Sequence, residues 1–206
     1  MSRKNRVETA VRRRLVIGIS GSSGALYGVR LLEVLHDVPE AETHLVISPA
    51  AEINIEHETE RSAGFVARLA TICYDPNDLA APISSGSFRT DGMIIAPCSM
   101  RSLGAIATAQ TTNLLLRAAD VTLKERRRLL LLVRETPLHL GHLRLMVAVT
   151  EMGAIVMPPV PALYAKPRSI DDMINQTIGR VLDLFDLPHD LVRRWQGLPQ
   201  TKEVPR

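Results

Sequence analysis

The chain has 206 residues, 46% hydrophobic and 23% charged, which is enough for one sizeable core and short for two domains. A net charge of +3 with only 3% aromatic residues leaves few rings on which bases could stack, so nucleic acid is a poor partner and small anions are better ones. Two cysteines, Cys73 and Cys98, cannot build a disulfide framework or a zinc cluster, no apolar run reaches the roughly 20 residues that cross a bilayer, and no signal-type segment follows the basic start, so the cytoplasm is expected and a membrane role is not.

Residues 1–14 carry Arg3, Lys4, Arg6, Arg12, Arg13 and Arg14 against Glu8 alone, and read as a flexible basic tail. Residues 15–19 are apolar on both faces, the mark of a strand buried in a parallel sheet, and Ala25, Leu26, Val29, Leu31, Leu32 and Leu35 then follow helical spacing. Between them lies Gly21-Ser22-Ser23-Gly24. Its glycines allow a tight turn, and its hydroxyls stand beside the free N–H groups of a helix start, where an anion is favoured. Taken alone, such a turn is equally ordinary connector chemistry.

Residues 43–48 predict a second buried strand and 50–60 an acid-rich helix. The stretch 74–88, with Asp75-Pro76-Asn77-Asp78 and Ser84-Ser85-Gly86-Ser87, predicts a long loop and hence a candidate site wall. A third strand over 92–96 stops at Pro97, and the polar run 97–102 opens another helix, as at the first turn. Helices are expected over 113–123, 138–152 and 170–187, and strands over 129–133 and 154–157. A rigid proline loop at 158–161 leads to Tyr164, and Trp195 lies in a polar tail. This alternation gives an α/β class with a mostly parallel, doubly wound sheet in a single domain over 15–195, with 196–206 as a C-terminal tail.

Most polar residues have bland readings. Lys124 to Arg128 would form a solvated helix end, favoured by the macrodipole, and Glu58 is one acid among several. Tyr164 would be a packing residue and Arg180 a surface cation. Arg134 and Glu135, directly after a strand of leucines, are either an ion pair or a working pair. His57, His139 and His142 lack the company a metal site needs, so no metal is assigned.

Several blocks occur together: Gly21-Ser22-Ser23-Gly24-Ala25, Ser85-Gly86-Ser87, Ala96-Pro97-Cys98-Ser99, the run 117–127 reading RAADVTLKERR, Arg134-Glu135-Thr136-Pro137-Leu138 and Pro161-Ala162-Leu163-Tyr164. Over about residues 15–195 the chain closely resembles the UbiX/Pad-type flavin prenyltransferases. The resemblance implies a Rossmann/flavodoxin-like fold and a metal-independent transfer of the dimethylallyl group from dimethylallyl phosphate to N5 and C6 of reduced FMN. It implies further that the product serves UbiD-type decarboxylases.

It also implies that Gly21, Ser22, Ser23, Ser48, Ser99, Met100, Arg101, Ser102 and Arg134 hold FMN. Lys124, Tyr164 and Arg180 would grip the donor phosphate with Arg117 nearby and Trp195 at the rim, while Ser23, Glu58, Lys124 and Glu135 are the matching catalytic residues. It implies large homo-oligomers, dodecamers among them. Arg101 and the stretch 109–112 depart from the family pattern. A flavin-dependent cysteine decarboxylase is a rival, but it would show Pro-Ala-Ser-Ala-Asn-Thr where this chain has Pro97-Cys98-Ser99-Met100-Arg101-Ser102. A flavin-carrying accessory subunit is the non-enzymatic alternative.

Overall fold

The computed structural model describes residues 12–197. Six strands form one sheet: β1 (Arg13–Ile19), β2 (Ala41–Ile47), β3 (Ile72–Tyr74), β4 (Gly92–Cys98), β5 (Arg128–Val133) and β6 (Ile155–Val156). All are parallel, in the order β3-β2-β1-β4-β5-β6. The order reverses between β1 and β4, and an open parallel sheet binds ligands in the crevice at the carboxyl ends of two such strands. The helices are α1 (Ala25–His36), α2 (Pro49–Thr59), α3 (Ala63–Leu69), α4 (Met100–Ala107), α5 (Leu114–Lys124), α6 (Leu140–Glu151) and α7 (Ile170–Asp183). Continuous apolar runs such as Leu129–Val133 are buried on both faces, as expected of strands with helices above and below.

Three expectations need correction. Arg13 and Arg14 belong to β1 and not to a tail: the Arg14 N–H donates to Asp91 Oδ2 at 2.7 Å, and its guanidinium is held by Glu42 (2.7 Å) and by the Arg89 carbonyl (3.0 Å). The rest of that predicted tail, residues 1–11, lies outside the described residues. Next, β4 does not stop at Pro97. It continues to Cys98 through a register shift between Ile95 and Cys98, and that irregularity lets the ladder pass a residue with no N–H to give.

The sheet also has a sixth strand, β3, and a further helix, α3. Both are short, and β3 exposes two of its three residues, so neither makes a legible apolar run. The chain also groups into two compact units that divide between Pro159 and Val160. Prolines at 158, 159 and 161 have no N–H for a ladder or helix, so regular structure cannot run across that join.

Most helices start on a residue that caps them. Ser48, Ser62, Ser99, Asn113, His139 and Ser169 each accept a hydrogen bond from a backbone N–H of the first turn. Helix α1 is the exception. Its N-cap is Gly24, in the left-handed region at φ 100°, with no side chain to serve. Helix α1 also lies close against β4, because a Cβ on Gly28 would come within 2.2 Å of the Ala96 carbonyl oxygen.

Candidate functional site

The loops after β1, β2, β4 and β5 meet at the carboxyl edge of the sheet. Ser20, 1% exposed, ties two of them together: its Oγ donates to the Pro97 carbonyl (2.9 Å) and accepts from the Ser99 N–H (2.8 Å). Ser20→Ala removes both bonds and leaves the Ser99 N–H without this acceptor, so the unfolding free energy from denaturant titration is expected to fall by about 2 kcal/mol. The Ser48 N–H donates to the Ile19 carbonyl, which fastens the start of α2 to the end of β1. Gly21 fits beside it because a Cβ there would stand 2.4 Å from that of Ala50.

The bare start of α1 is served from a distance. Glu58, near the end of α2, accepts from the N–H groups of Gly24 (2.8 Å) and Ala25 (2.9 Å) through one carboxylate oxygen. The helix N-terminus at which the sequence predicts an incoming anion is therefore partly taken by the chain's own anion, which the helix dipole favours there for the same reason. Beside it the Ser22 hydroxyl oxygen is buried with no hydrogen-bond partner. A buried hydroxyl left in that state asks for a polar ligand atom.

Arg134, exposed just past β5, leans over the same turn. Its Cγ is 3.8 Å from where a Gly24 Cβ would sit, and its charge pulls down the Tyr27 phenol pKa that burial, the larger effect, pushes up. Ser99 Oγ caps α4 through the Ser102 N–H (3.2 Å) and donates to the Ser102 hydroxyl (3.1 Å). Met100 packs against the core, while Arg101 is exposed on the first turn of α4. Glu135 is exposed next to Arg134 and turns back to accept from the Thr136 N–H. The neighbouring Cys98 is fully buried and its thiol is pushed up to about 12, which removes it as a nucleophile at neutral pH.

Lys124 and Arg117 are placed elsewhere. Helix α5 runs from the carboxyl edge, where the Leu114 N–H donates to the Pro76 carbonyl, to the amino edge, where Lys124 comes just before β5. Lys124 pairs with Glu125 (2.5 Å), whose carboxyl is held below its usual range by that ammonium. Arg117 is half-buried, donating to the Ser84 carbonyl (3.0 Å) and pairing with Asp120 (2.8 Å). Within one body Lys124 is separated from the β1 turn by the length of β5, six residues or about 20 Å.

In the second unit, Tyr164 follows the proline loop and meets the edge of the Trp195 ring, centroids 5.7 Å apart at 77°. Trp195 is thus packed on a partner and not simply loose in a tail. Gln176 Nε2 donates to the Tyr164 hydroxyl at 3.2 Å. Arg180 pairs with Asp183 (2.6 Å), which also receives Arg194 (2.8 Å) and His189 (3.0 Å). His189 Nδ1 accepts from the Leu191 N–H, so Nε2 carries the proton donated to Asp183. The segment 189–192 lies so close to α7 that a Cβ on Gly179 would stand 2.2 Å from Val192 Cγ2.

The Arg194 hydrogen bond, then His189, hold the Asp183 carboxyl at about 2, against an ordinary 3.8. A depressed folded-state pKa means that this cluster stabilises fully above the ordinary value and is lost as pH falls toward 2. Emission from Trp195, the sole tryptophan, is therefore expected to change between those limits in the native protein and to lose that transition in Asp183→Asn.

Comparison with known proteins decides the family. The Flavoprotein family matches residues 3–182. The flavin prenyltransferase UbiX of Escherichia coli K12 is 60% identical over 187 residues, covering 90% of this chain and 99% of that one. The chain belongs to the UbiX-type flavin prenyltransferases. Two solved structures of this type are 50% identical: a dodecameric FMN-dependent UbiX-like decarboxylase from Escherichia coli O157:H7 (TM-score 0.88, covering 89% of this chain and 100% of that one) and AnUbiX (PadA1) in complex with FMN and dimethylallyl pyrophosphate (TM-score 0.89, 91% and 100%).

As a UbiX-type prenyltransferase the chain is a flavoprotein enzyme that takes FMN. The turn fits that role through the orphaned Ser22 hydroxyl and the Arg134 cation. Among the described residues no group of three or more His, Cys, Asp or Glu is placed to hold a metal ion, and no helix is long and apolar enough to cross a membrane. Inspection of the sequence missed Ser20, Gln176 and Asp183. Ser20 is a serine in a serine-rich turn and gave no distinct signal, whereas Gln176 and Asp183 are polar residues on or beside the apolar stripe of α7, a pattern that could have marked them.

Proposed function

We propose that the chain transfers the dimethylallyl group of dimethylallyl phosphate to N5 and C6 of reduced FMN, and that a UbiD-type decarboxylase consumes the product. The observation that carries this reading is the start of α1, where a positioned carboxylate, an unpartnered buried hydroxyl and an arginine face one turn at the sheet's switch point. Gly21, Ser22, Ser23, Ser48, Ser99, Met100, Arg101, Ser102 and Arg134 bind the flavin.

Glu58, Glu135 and Ser23 serve proton transfer. Ring closure needs the C6 proton removed, and a carboxylate held at the β1 turn by two amide donors supports giving that task to Glu58. Lys124, Arg117, Tyr164 and Arg180 answer the negative charge that develops on the phosphate as the allylic C–O bond breaks. Trp195 helps to keep the carbon-lined end of the pocket dry.

Because Lys124 lies at the amino edge of its own sheet, its ammonium serves the site of another copy, which makes the active form a homo-oligomer and a dodecamer the assembly proposed. The exposed side chains of Leu140 (60%), Leu143 (45%) and Val147 (56%) on α6 are apolar surface of the kind subunit contacts cover. The proposed compartment is the cytoplasm.

The test is anaerobic incubation with reduced FMN and dimethylallyl phosphate, with the diphosphate as a parallel arm, followed by mass analysis of the flavin. A gain of one prenyl group is expected. Unmodified flavin in both arms overturns the proposal, and unmodified flavin that nonetheless activates a decarboxylase selects an accessory carrier.

A further inference from the structure

Gln176 lies on α7 with 7% of its surface exposed, among the buried residues Ile174, Thr177 and Ile178. A polar amide in such a position costs stability unless it is hydrogen-bonded, and a leucine or methionine of similar size would pack there without that cost. Its side-chain bond runs to Tyr164, which is itself half exposed and so cannot be fixed by packing alone. The amide N–H points at the phenol oxygen and fills one of its lone pairs. The phenol hydrogen is then free to point at a different acceptor. Arg180, one helical turn on from Gln176, is likewise turned by Asp183.

We infer that Gln176 is a positioning residue for prenyl transfer: by donating to Tyr164 it fixes that hydroxyl as a hydrogen-bond donor toward the leaving phosphate. The inference rests on the role proposed above for Tyr164. A glutamate in the same place would reverse the polarity, because a carboxylate accepts the phenol hydrogen and takes it from the phosphate.

The experiment measures kcat, KM for dimethylallyl phosphate and reduced-FMN affinity for the full chain and for Gln176→Met, Gln176→Glu, Tyr164→Phe and the Gln176→Met/Tyr164→Phe pair. Gln176→Met is expected to lose about tenfold in kcat, the worth of one oriented hydrogen bond, with reduced-FMN affinity unchanged. Gln176→Glu should lose more than Gln176→Met. In the Tyr164→Phe background, Gln176→Met should cost nothing further, which a merely structural role would not produce. Should Gln176→Met fail to fold, Gln176→Leu replaces it.

A wild-type rate in Gln176→Met, or the same fractional loss in both backgrounds, overturns the role of Gln176 alone. A Tyr164→Phe variant with full activity overturns the role of Tyr164 and that of Gln176 with it, whereas a wild-type chain that leaves flavin unmodified overturns the functional reading itself.

Discussion

Lys124→Ala is expected to lower prenyl transfer by about 10²–10³-fold while leaving reduced FMN bound, because one cation aimed at developing phosphate charge is worth that much in a water-poor site. The location of Lys124 makes a sharper test possible. It closes α5 at the amino edge of the sheet, while Ser22, Glu58 and Arg134 gather at the carboxyl edge, and β5 spans the gap. No lysine side chain bridges about 20 Å, so the role proposed for Lys124 requires that the ammonium at a given turn come from a different copy.

Co-expressing Lys124→Ala with Glu58→Gln should therefore restore activity that neither variant has alone. Random mixing puts an intact turn and an intact lysine together in roughly a quarter of the sites, so about that fraction of wild-type activity is expected in purified mixed assemblies. Activity no higher than that of the two separate variants would place Lys124 in its own chain's site, against the geometry of the sheet.

That separation was legible in the sequence. In a strand-helix-strand unit with parallel strands, the helix ends where the next strand begins, so a lysine just before residues 129–133 must lie opposite Arg134, which follows them. The β1 turn was legible for the same kind of reason, since a two-face apolar run, glycines and a helical period stand next to one another. The partner that completes the turn was not. Glu58 looks like one acid among Glu52, Glu56 and Glu60, and only the packing of α2 beside α1 carries it to Gly24 and Ala25. Local pattern also failed at β3, whose three residues pair with His44, Leu45 and Val46 and have little apolar signal of their own. Tyr74 there gains its place from tertiary bonds, its hydroxyl meeting His44 Nδ1 at 2.8 Å, while burial holds the pKa of that imidazole below its usual value.

Glu58→Gln separates the capping bonds that the structure shows for this residue from the proton transfer proposed for it. As a cap, Glu58 supplies an oxygen to two N–H groups at a helix start that has no capping side chain of its own. A glutamine keeps an oxygen there, so the variant should fold and lose at most about 1 kcal/mol, the usual size of a cap's contribution. As a proton acceptor, the carboxylate has no substitute in an amide, and the loss of general-base help predicts a fall of about 10²–10⁴-fold in product formation.

Glu58→Ala removes both functions, so it should match Glu58→Gln in rate and fall below it in thermal stability. The pair of measurements is decisive in either direction. If Glu58→Gln turns over at the wild-type rate, the carboxylate is a cap alone and the proton must leave to Glu135 or Ser23. If Glu58→Gln unfolds as readily as Glu58→Ala, the negative charge at the α1 dipole, and not the oxygen, is what holds the turn in shape.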